Sequence, residues 1–188
     1  AAIECGCSNH AKAIADGAAA GAAQGAAAGK KGGEISGAIA GGKQYILKDA
    51  RALLLTCIDF RLIDNVVFKL NELGYTNNYD EFALAGASLG YNGISSIKNY
   101  QAWSEVFRQH IDAAIALHNI EEILIIDHLN CGAYGLVYTP EELEGEGEFD
   151  KHVINLKIAS KDIQSFFPQL KVRKFIIGIS GVNFDEIF

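Results

Sequence analysis

The sequence has few cysteines, a deficit of positive charge and no long apolar run, and each shortage excludes a class of protein. Four cysteines in 188 residues are too few for a small secreted scaffold held by disulfides. Lysine and arginine number 16 against 23 aspartates and glutamates, and the resulting net charge of -7 argues against a nucleic-acid partner. No uninterrupted apolar run of about 18 residues occurs, so we expect no membrane-spanning helix.

The composition changes near residue 43, which divides the chain into two predicted parts. Residues 1–44 form an arm rich in alanine and glycine, and residues 45–188 form a predicted α/β domain. Within the arm, glycine recurs at every fourth position from Gly17 to Gly41. On a helix this spacing gives a groove for close approach of another backbone, but each glycine also lowers helix stability by about 1 kcal/mol. Two hypotheses stay open: a flexible linker, or an arm packed against a neighbouring chain.

Beyond the arm, the pattern alternates between strands and helices. Strands are predicted at Ala52–Thr56, Glu81–Ala85, Glu122–Ile126 and Val172–Ile179, with a short last strand within Gly181–Phe188. Helices are predicted at Leu62–Leu73, Ile94–His118 and Lys151–Phe167. This alternation predicts an α/β fold, in which helices cover both faces of a mostly parallel sheet of four to five strands.

Two short segments carry the side chains with chemistry. Cys57 follows the first predicted strand, with Asp59 and Arg61 close behind, and His128 and Cys131 follow the third strand. Ligands of open parallel sheets bind beyond the carboxyl ends of the strands, so we expect these side chains to meet at one edge. Two thiolates and one imidazole are ligands for zinc, and three protein ligands with an open fourth position are typical of catalytic zinc. The segments therefore predict a zinc hydrolase or hydratase.

Simpler explanations exist for both parts of this set. Cys57 and Cys131 could form one disulfide, although His128 and Asp59 would then have no role beside it. Asp59 and Arg61 could form an ordinary surface salt bridge. Thiolates bound to a metal favour a reducing intracellular compartment, either the cytoplasm or the lumen of an organelle.

The two segments resemble the metal-binding motifs of the β-class carbonic anhydrases. That family carries Cys-x-Asp-x-Arg after the first strand and His-x-x-Cys after a later parallel strand, and this sequence has both motifs in that order. The resemblance covers about residues 46 to 188, and the chain looks like a divergent member of the family. It implies three ligands for Zn²⁺, namely Cys57, His128 and Cys131. It also implies that Asp59 and Arg61 form a catalytic dyad.

The resemblance implies reversible hydration of carbon dioxide to bicarbonate by a zinc-bound hydroxide. Asp59 would orient the hydroxide, and Arg61 would hold Asp59 away from the metal through a bidentate pair. A homodimer or higher oligomer is also implied, whereas the resemblance leaves out the arm, whose packing on a neighbouring chain stays one of the two hypotheses above. Two alternatives remain: a hydrolase of carbonyl sulfide or carbon disulfide on the same zinc site, and a non-catalytic assembly subunit that uses the glycine-rich arm.

The sequence departs from the family pattern near the expected substrate. The segment Ala83–Gly90 lacks the arginine and asparagine that family members commonly carry there. Gly86 and Ser88 are its candidate substrate-binding residues, and the hydroxyl of Ser88 offers one hydrogen bond. Asp127 stands where a glycine often precedes the ligand histidine, and extra residues are expected around Tyr91–Ala102. We therefore expect an intact metal site beside an altered substrate pocket.

Overall fold

A computed structural model describes residues 49–188 of the chain. The predicted arm, residues 1–44, lies outside the described residues, so both hypotheses about it and the domain boundary near residue 45 stay predictions. Within the described part, no helix combines the length and the apolar character needed to cross a membrane.

Five strands of the described region form one sheet. They are β1 (Ala52–Cys57), β2 (Tyr79–Leu84), β3 (Glu122–His128), β4 (Lys171–Ile177) and β5 (Phe184–Glu186). Their order is β2-β1-β3-β4-β5. The first four strands run parallel, and β5 is antiparallel to β4. The prediction of an α/β fold with a mostly parallel sheet is confirmed.

The two central strands form the middle of the core. Every residue of β1 and of β3 is buried, as expected for strands that are covered on both faces. This explains why both read as continuous apolar runs and not as alternating patterns. Aliphatic side chains dominate them, and the fully enclosed ones include Leu54, Leu55, Ile123, Leu124 and Ile125.

Four α-helices connect the strands. They are α1 (Ile63–Glu72), α2 (Ser88–Asn92), α3 (Gln101–His118) and α4 (Gly147–Phe166). The predicted start of the long helix at Ile94 is wrong, because α3 begins at Gln101. Gly93 and Asn99 adopt positive φ angles of 115° and 62°, which a right-handed helix cannot contain. The residues between them therefore form a connection, and α2 is a separate short helix.

The order of the strands places a crevice between β1 and β3. The chain runs from β1 to β2 on one side, and it later returns to pair β3 with the other side of β1, where Thr56 lies opposite Ile126. Such a reversal is the point at which open α/β sheets bind ligands, beyond the carboxyl ends of the strands. Cys57 ends β1 and His128 ends β3, so both lie at this point.

Candidate metal centre

Cys57, His128 and Cys131 come together at the carboxyl ends of β1 and β3. Their sulfur and ring-nitrogen atoms all lie within 4.8 Å of one another. Cys131 reaches this position through a tight loop in which Asn130 has a φ of 59°. Asparagine enters this left-handed region more readily than most side chains, so the loop turns back at that residue toward the end of β1.

The two cysteines are free thiols. Their Sγ atoms are 3.9 Å apart, well beyond the bond length of about 2.05 Å in a disulfide. The hydrogen bond from Cys131 lowers the pKa of Cys57, whereas the same bond and burial raise the pKa of Cys131. The backbone N–H of Gly86 also donates to Cys57 Sγ at 3.3 Å. The two sulfurs therefore lie close enough together to bind one cation as thiolates.

His128 presents its second ring nitrogen to these sulfurs. Nδ1 lies 2.9 Å from the carbonyl oxygen of Leu129, and because a carbonyl only accepts, Nδ1 carries the proton. Nε2 is therefore an acceptor, and among residues 49–188 it has no hydrogen-bond partner although it is buried. A buried acceptor without a partner calls for a reason, and a metal ion held with the two sulfurs supplies one. The three residues are arranged so that they can hold a metal ion.

Asp59 and Arg61 lie at the mouth of the same site. Arg61 donates from Nε to Asp59 Oδ1 at 2.9 Å and from Nη2 to Oδ2 at 2.6 Å. The pair holds the carboxylate so that Oδ2 is 3.9 Å from Nε2 of His128. Hydrogen bonding from Arg61 lowers the pKa of Asp59 to about 2. The two residues thus form a salt bridge, but one whose carboxylate faces the metal-binding atoms.

A cavity of about 470 Å³ opens beside these groups, and both motif segments line it. Its apolar wall comes from Ile58, Phe60, Ala85, Ala133 and Leu136. The polar groups are the two thiols and the Asp59–Arg61 pair. The cavity thus combines an apolar wall with polar groups next to the metal-binding atoms.

Gly86 and Ser88, the predicted substrate contacts, do not line this cavity. Gly86 has a φ of 75°, and a Cβ at its position would lie 3.0 Å from Cβ of Ala133, so only glycine suits the turn. Ser88 is buried, and its hydroxyl donates to Asp127 Oδ2 at 2.5 Å. The backbone N–H of Gly86 thus donates to Cys57, and the hydroxyl of Ser88 donates to Asp127. A role of either residue in binding a substrate stays a prediction.

Three polar residues near the site were missed as partners by the sequence analysis: Asp127, Glu148 and His152. Asp127 and His152 are buried, and their side chains are in contact through Nδ1 of His152 and Oδ2 of Asp127 at 2.9 Å. The sequence did indicate that Asp127 needs partners, because a carboxylate at the end of a buried apolar strand must accept hydrogen bonds from donors in the core. The spacing of Glu148 and His152 carried no such signal, since a pair four residues apart is common on exposed helices.

Two proteins of known sequence are similar to this chain over most of its length. An uncharacterized protein of Rickettsia bellii is 38% identical over 137 residues, which cover 72% of this chain and 81% of the relative. An uncharacterized protein of Rickettsia conorii is also 38% identical over 137 residues, which cover 72% of each chain. This chain belongs to their family. No family model matches it.

Solved structures of β-carbonic anhydrases are similar to this chain at low sequence identity. Isoform I from Trichomonas vaginalis is 15% identical with a TM-score of 0.49, and the match covers 78% of this chain and 88% of that one. A structure among the two tetrameric enzymes of Sordaria macrospora is 18% identical with a TM-score of 0.48, covering 74% and 81% of the chains. The carbonic anhydrase of Streptococcus mutans is 17% identical with a TM-score of 0.45, covering 79% and 88%. These likenesses are distant.

Proposed function

We propose that this chain is a zinc-dependent carbonic anhydrase, which interconverts carbon dioxide and bicarbonate. The position of Asp59 carries the proposal: Arg61 holds its carboxylate, with Oδ2 3.9 Å from the unpaired Nε2 of His128. A structural metal site needs four ligands and no such carboxylate. Three ligands beside an oriented proton acceptor suit a centre that activates water.

The donor set favours zinc among the common metal ions. Cys57 and Cys131 would contribute two soft thiolates, and His128 would contribute Nε2. Bound zinc supplies Lewis-acid activation of water near neutral pH. The N–H of Gly86 would stabilise negative charge on the sulfur of Cys57, since it already donates to that atom.

The remaining residues would orient the reactants. Asp59 accepts the hydrogen bond of the attacking water, and its low pKa keeps it an acceptor at neutral pH. Arg61 keeps Asp59 from turning to the metal, since its planar guanidinium fixes both carboxylate oxygens. The apolar wall of Ile58, Phe60 and Leu136 receives carbon dioxide, a small molecule without charge or hydrogen-bond donors.

Metal analysis combined with isotope exchange tests the proposal. The purified chain should contain about one zinc and should exchange ¹⁸O between carbon dioxide and water. Cys57→Ser and His128→Ala should lose zinc and exchange together. The matched controls are Cys5→Ser with Cys7→Ser, and His110→Ala, which should keep both. Exchange of ¹⁸O at the wild-type rate in His128→Ala would contradict the proposal.

The same preparation separates the alternatives. Release of sulfide from carbonyl sulfide or carbon disulfide, with negligible hydration of carbon dioxide, would identify the hydrolase. Zinc without turnover of any of these molecules would favour the assembly subunit.

We also propose that copies of the chain associate around the mouth of the cavity, in a reducing intracellular compartment. Phe60 is 80% exposed, Ile58 is 65% exposed and Leu136 is 55% exposed, which is a large apolar surface to leave in water. Light scattering should give the mass of a dimer or a multiple of it, and a monomer contradicts the association. The two thiols 3.9 Å apart support the reducing compartment, because an oxidising environment favours a disulfide between them.

A further inference from the structure

A fully buried carboxylate lies directly before the ligand histidine. Asp127 is 1% exposed and accepts four hydrogen bonds. Its Oδ1 accepts from the backbone N–H of Ser88 at 2.9 Å. Its Oδ2 accepts from the hydroxyls of Ser88 and Tyr134 at 2.5 and 2.8 Å, and from Nδ1 of His152 at 2.9 Å. Helix α4 is thereby tied to the end of β3, one residue before His128.

His152 has a second nitrogen that this arrangement does not satisfy. The residue is fully buried on α4, and among the described residues its Nε2 has no hydrogen-bond partner. Oε1 of Glu148, one turn earlier on the helix, lies 3.8 Å from this nitrogen. Burial lowers the pKa of His152, but the carboxylates of Asp127 and Glu148 outweigh it and the pKa is raised. The imidazole therefore lies between two carboxylates that both favour its charged form.

Glu148 contacts the other end of the loop His128–Cys131, which carries two of the metal-binding residues. Its Oε1 accepts a hydrogen bond from the backbone N–H of Cys131 at 3.2 Å. Asp127 is bonded to His128 through the chain, and Glu148 is bonded to Cys131 through this hydrogen bond. The four-residue loop His128–Cys131 is thus flanked at both ends by carboxylates, of which Asp127 contacts His152 at 2.9 Å and Glu148 lies 3.8 Å from it.

We propose that His152 is a positioning residue for the metal centre, which sets the spacing of His128 and Cys131 by bridging Asp127 and Glu148. The proposal rests on the proposed function only in requiring a metal ion on Cys57, His128 and Cys131. His152 itself touches no ligand atom and takes no part in a chemical step. Groups that orient the ligands of a metal commonly change its affinity about 10- to 100-fold when they are removed.

Three substitutions separate the two contacts of the imidazole. His152→Phe removes both nitrogens and keeps a ring against Tyr134, whose ring centroid is 3.8 Å away. His152→Asn keeps a donor close to the position of Nδ1 and so preserves the contact with Asp127. Glu148→Gln weakens the acceptor for Cys131 at a side chain that is 19% exposed and therefore tolerates the change.

The readouts are Zn²⁺ affinity, by competition with a chromophoric chelator, and the absorption spectrum of the Co²⁺-substituted protein. We expect His152→Phe to weaken Zn²⁺ about 10- to 100-fold and to shift the thiolate-to-cobalt and ligand-field bands. His152→Asn should recover part of both, and Glu148→Gln should change both in the same direction. His110→Phe, on the exposed side of α3, is the matched control and should change neither.

Each outcome bears on one proposal separately. Wild-type Zn²⁺ affinity and an unchanged Co²⁺ spectrum in His152→Phe and Glu148→Gln overturn the positioning role, whatever the activity of the enzyme. If His152→Phe does not fold, Glu148→Gln decides alone. If the wild-type protein binds Zn²⁺ but does not hydrate carbon dioxide, the proposed function is contradicted. The positioning role still holds in that case, provided that the variants change Zn²⁺ affinity and the Co²⁺ spectrum.

Discussion

Arg61 Nη2 lies 3.1 Å from the backbone carbonyl oxygen of Asn130, within the loop that joins His128 to Cys131. The same nitrogen donates to Asp59 Oδ2 at 2.6 Å. One guanidinium therefore connects the segment after β1 with the loop after β3. The orientation of Asp59 is consequently linked to the backbone of the loop between His128 and Cys131, although the two segments come from distant parts of the chain.

Replacing Arg61 tests this connection. We expect Arg61→Ala to lower carbon dioxide hydration by about 10²-fold and to leave zinc near one per chain, because the arginine orients Asp59 but is not a ligand. The hydration rate of Arg61→Lys should lie between those of the wild type and Arg61→Ala, since an ammonium keeps the charge but lacks the planar guanidinium that binds both carboxylate oxygens. Isotope exchange and metal analysis measure both effects. Lys69→Ala, which breaks an exposed pair with Glu72, is the control; wild-type exchange in Arg61→Ala contradicts the role.

Asn130 should tolerate glycine and resist valine. Its φ of 59° suits both asparagine and glycine, whereas a β-branched side chain in this region costs about 1–2 kcal/mol. Asn130→Val should therefore lower the free energy of unfolding by that amount and also weaken Zn²⁺, because the loop carries Cys131. Asn77 has a φ of 51° in a distant turn and provides the matched control. Asn77→Val should lose similar stability in urea with unchanged Zn²⁺ affinity; equal losses of affinity contradict the prediction.

The salt bridge between Arg173 and Glu186, which connects β4 with β5, should weaken at acidic pH. Arg173 donates from Nε and Nη2 to the two oxygens of Glu186, each at 2.8 Å, which joins β4 to β5. Hydrogen bonding from Arg173 lowers the pKa of Glu186 from its ordinary value of 4.5. A lowered pKa in the folded state means that the stabilisation is complete above 4.5 and is lost as the pH falls through the folded value.

The substitution Glu186→Gln measures this contribution. The wild type should exceed the variant by up to about 1 kcal/mol in free energy of unfolding at pH 7, a size typical of a partly exposed pair. The difference should shrink as the pH falls below 4.5, the ordinary pKa of the carboxyl. Urea denaturation at pH 7, 5 and 3.5 tests it, and a difference that stays constant over this range contradicts the assignment.

A charge at the cavity mouth should separate associated copies. Phe60→Glu adds a carboxylate at a position that is 80% exposed, so the free energy of unfolding of the single chain should hardly change. The mass by light scattering should fall to that of one chain, because burial of the new charge in an interface is costly. Leu117 lies in the last turn of α3, shortly before the start of β3, and Leu117→Glu should leave the mass unchanged. If Phe60→Glu keeps the mass of the wild type, this surface is not the interface between copies.

The sequence predicted the sheet and the meeting of the two motifs because both depend on patterns along the chain. Apolar runs that end at Cys57 and just before His128 indicate buried parallel strands, and parallel strands place their carboxyl ends together. The start of α3 was not predictable in the same way, since it depends on the left-handed backbone at Asn99. Asparagine permits that conformation without requiring it.

The partners of the buried polar groups were equally out of reach. Ser88 was predicted near a substrate, but the direction of its hydroxyl is set by Asp127, which lies 39 positions later. His152 reads as an ordinary helical residue until α4 packs against the end of β3. Such contacts arise from the relative placement of two elements, for which a single sequence contains no periodic signal.

The pairing of β1 with β3 determines when the metal site forms. Cys57 and Cys131 are 74 positions apart, and bringing them together from an unfolded chain has an entropic cost of loop closure. The parallel pairing of Ala52–Thr56 with Glu122–Ile126 brings the ends of both strands together without using any of the three metal-binding side chains. We therefore expect the chain to stay folded without an ion, unlike small zinc domains that unfold when their ion is removed. Under the proposed function the chain would release and regain zinc as a folded protein, and the supply of zinc in its surroundings would then set the active fraction without setting the amount of folded protein.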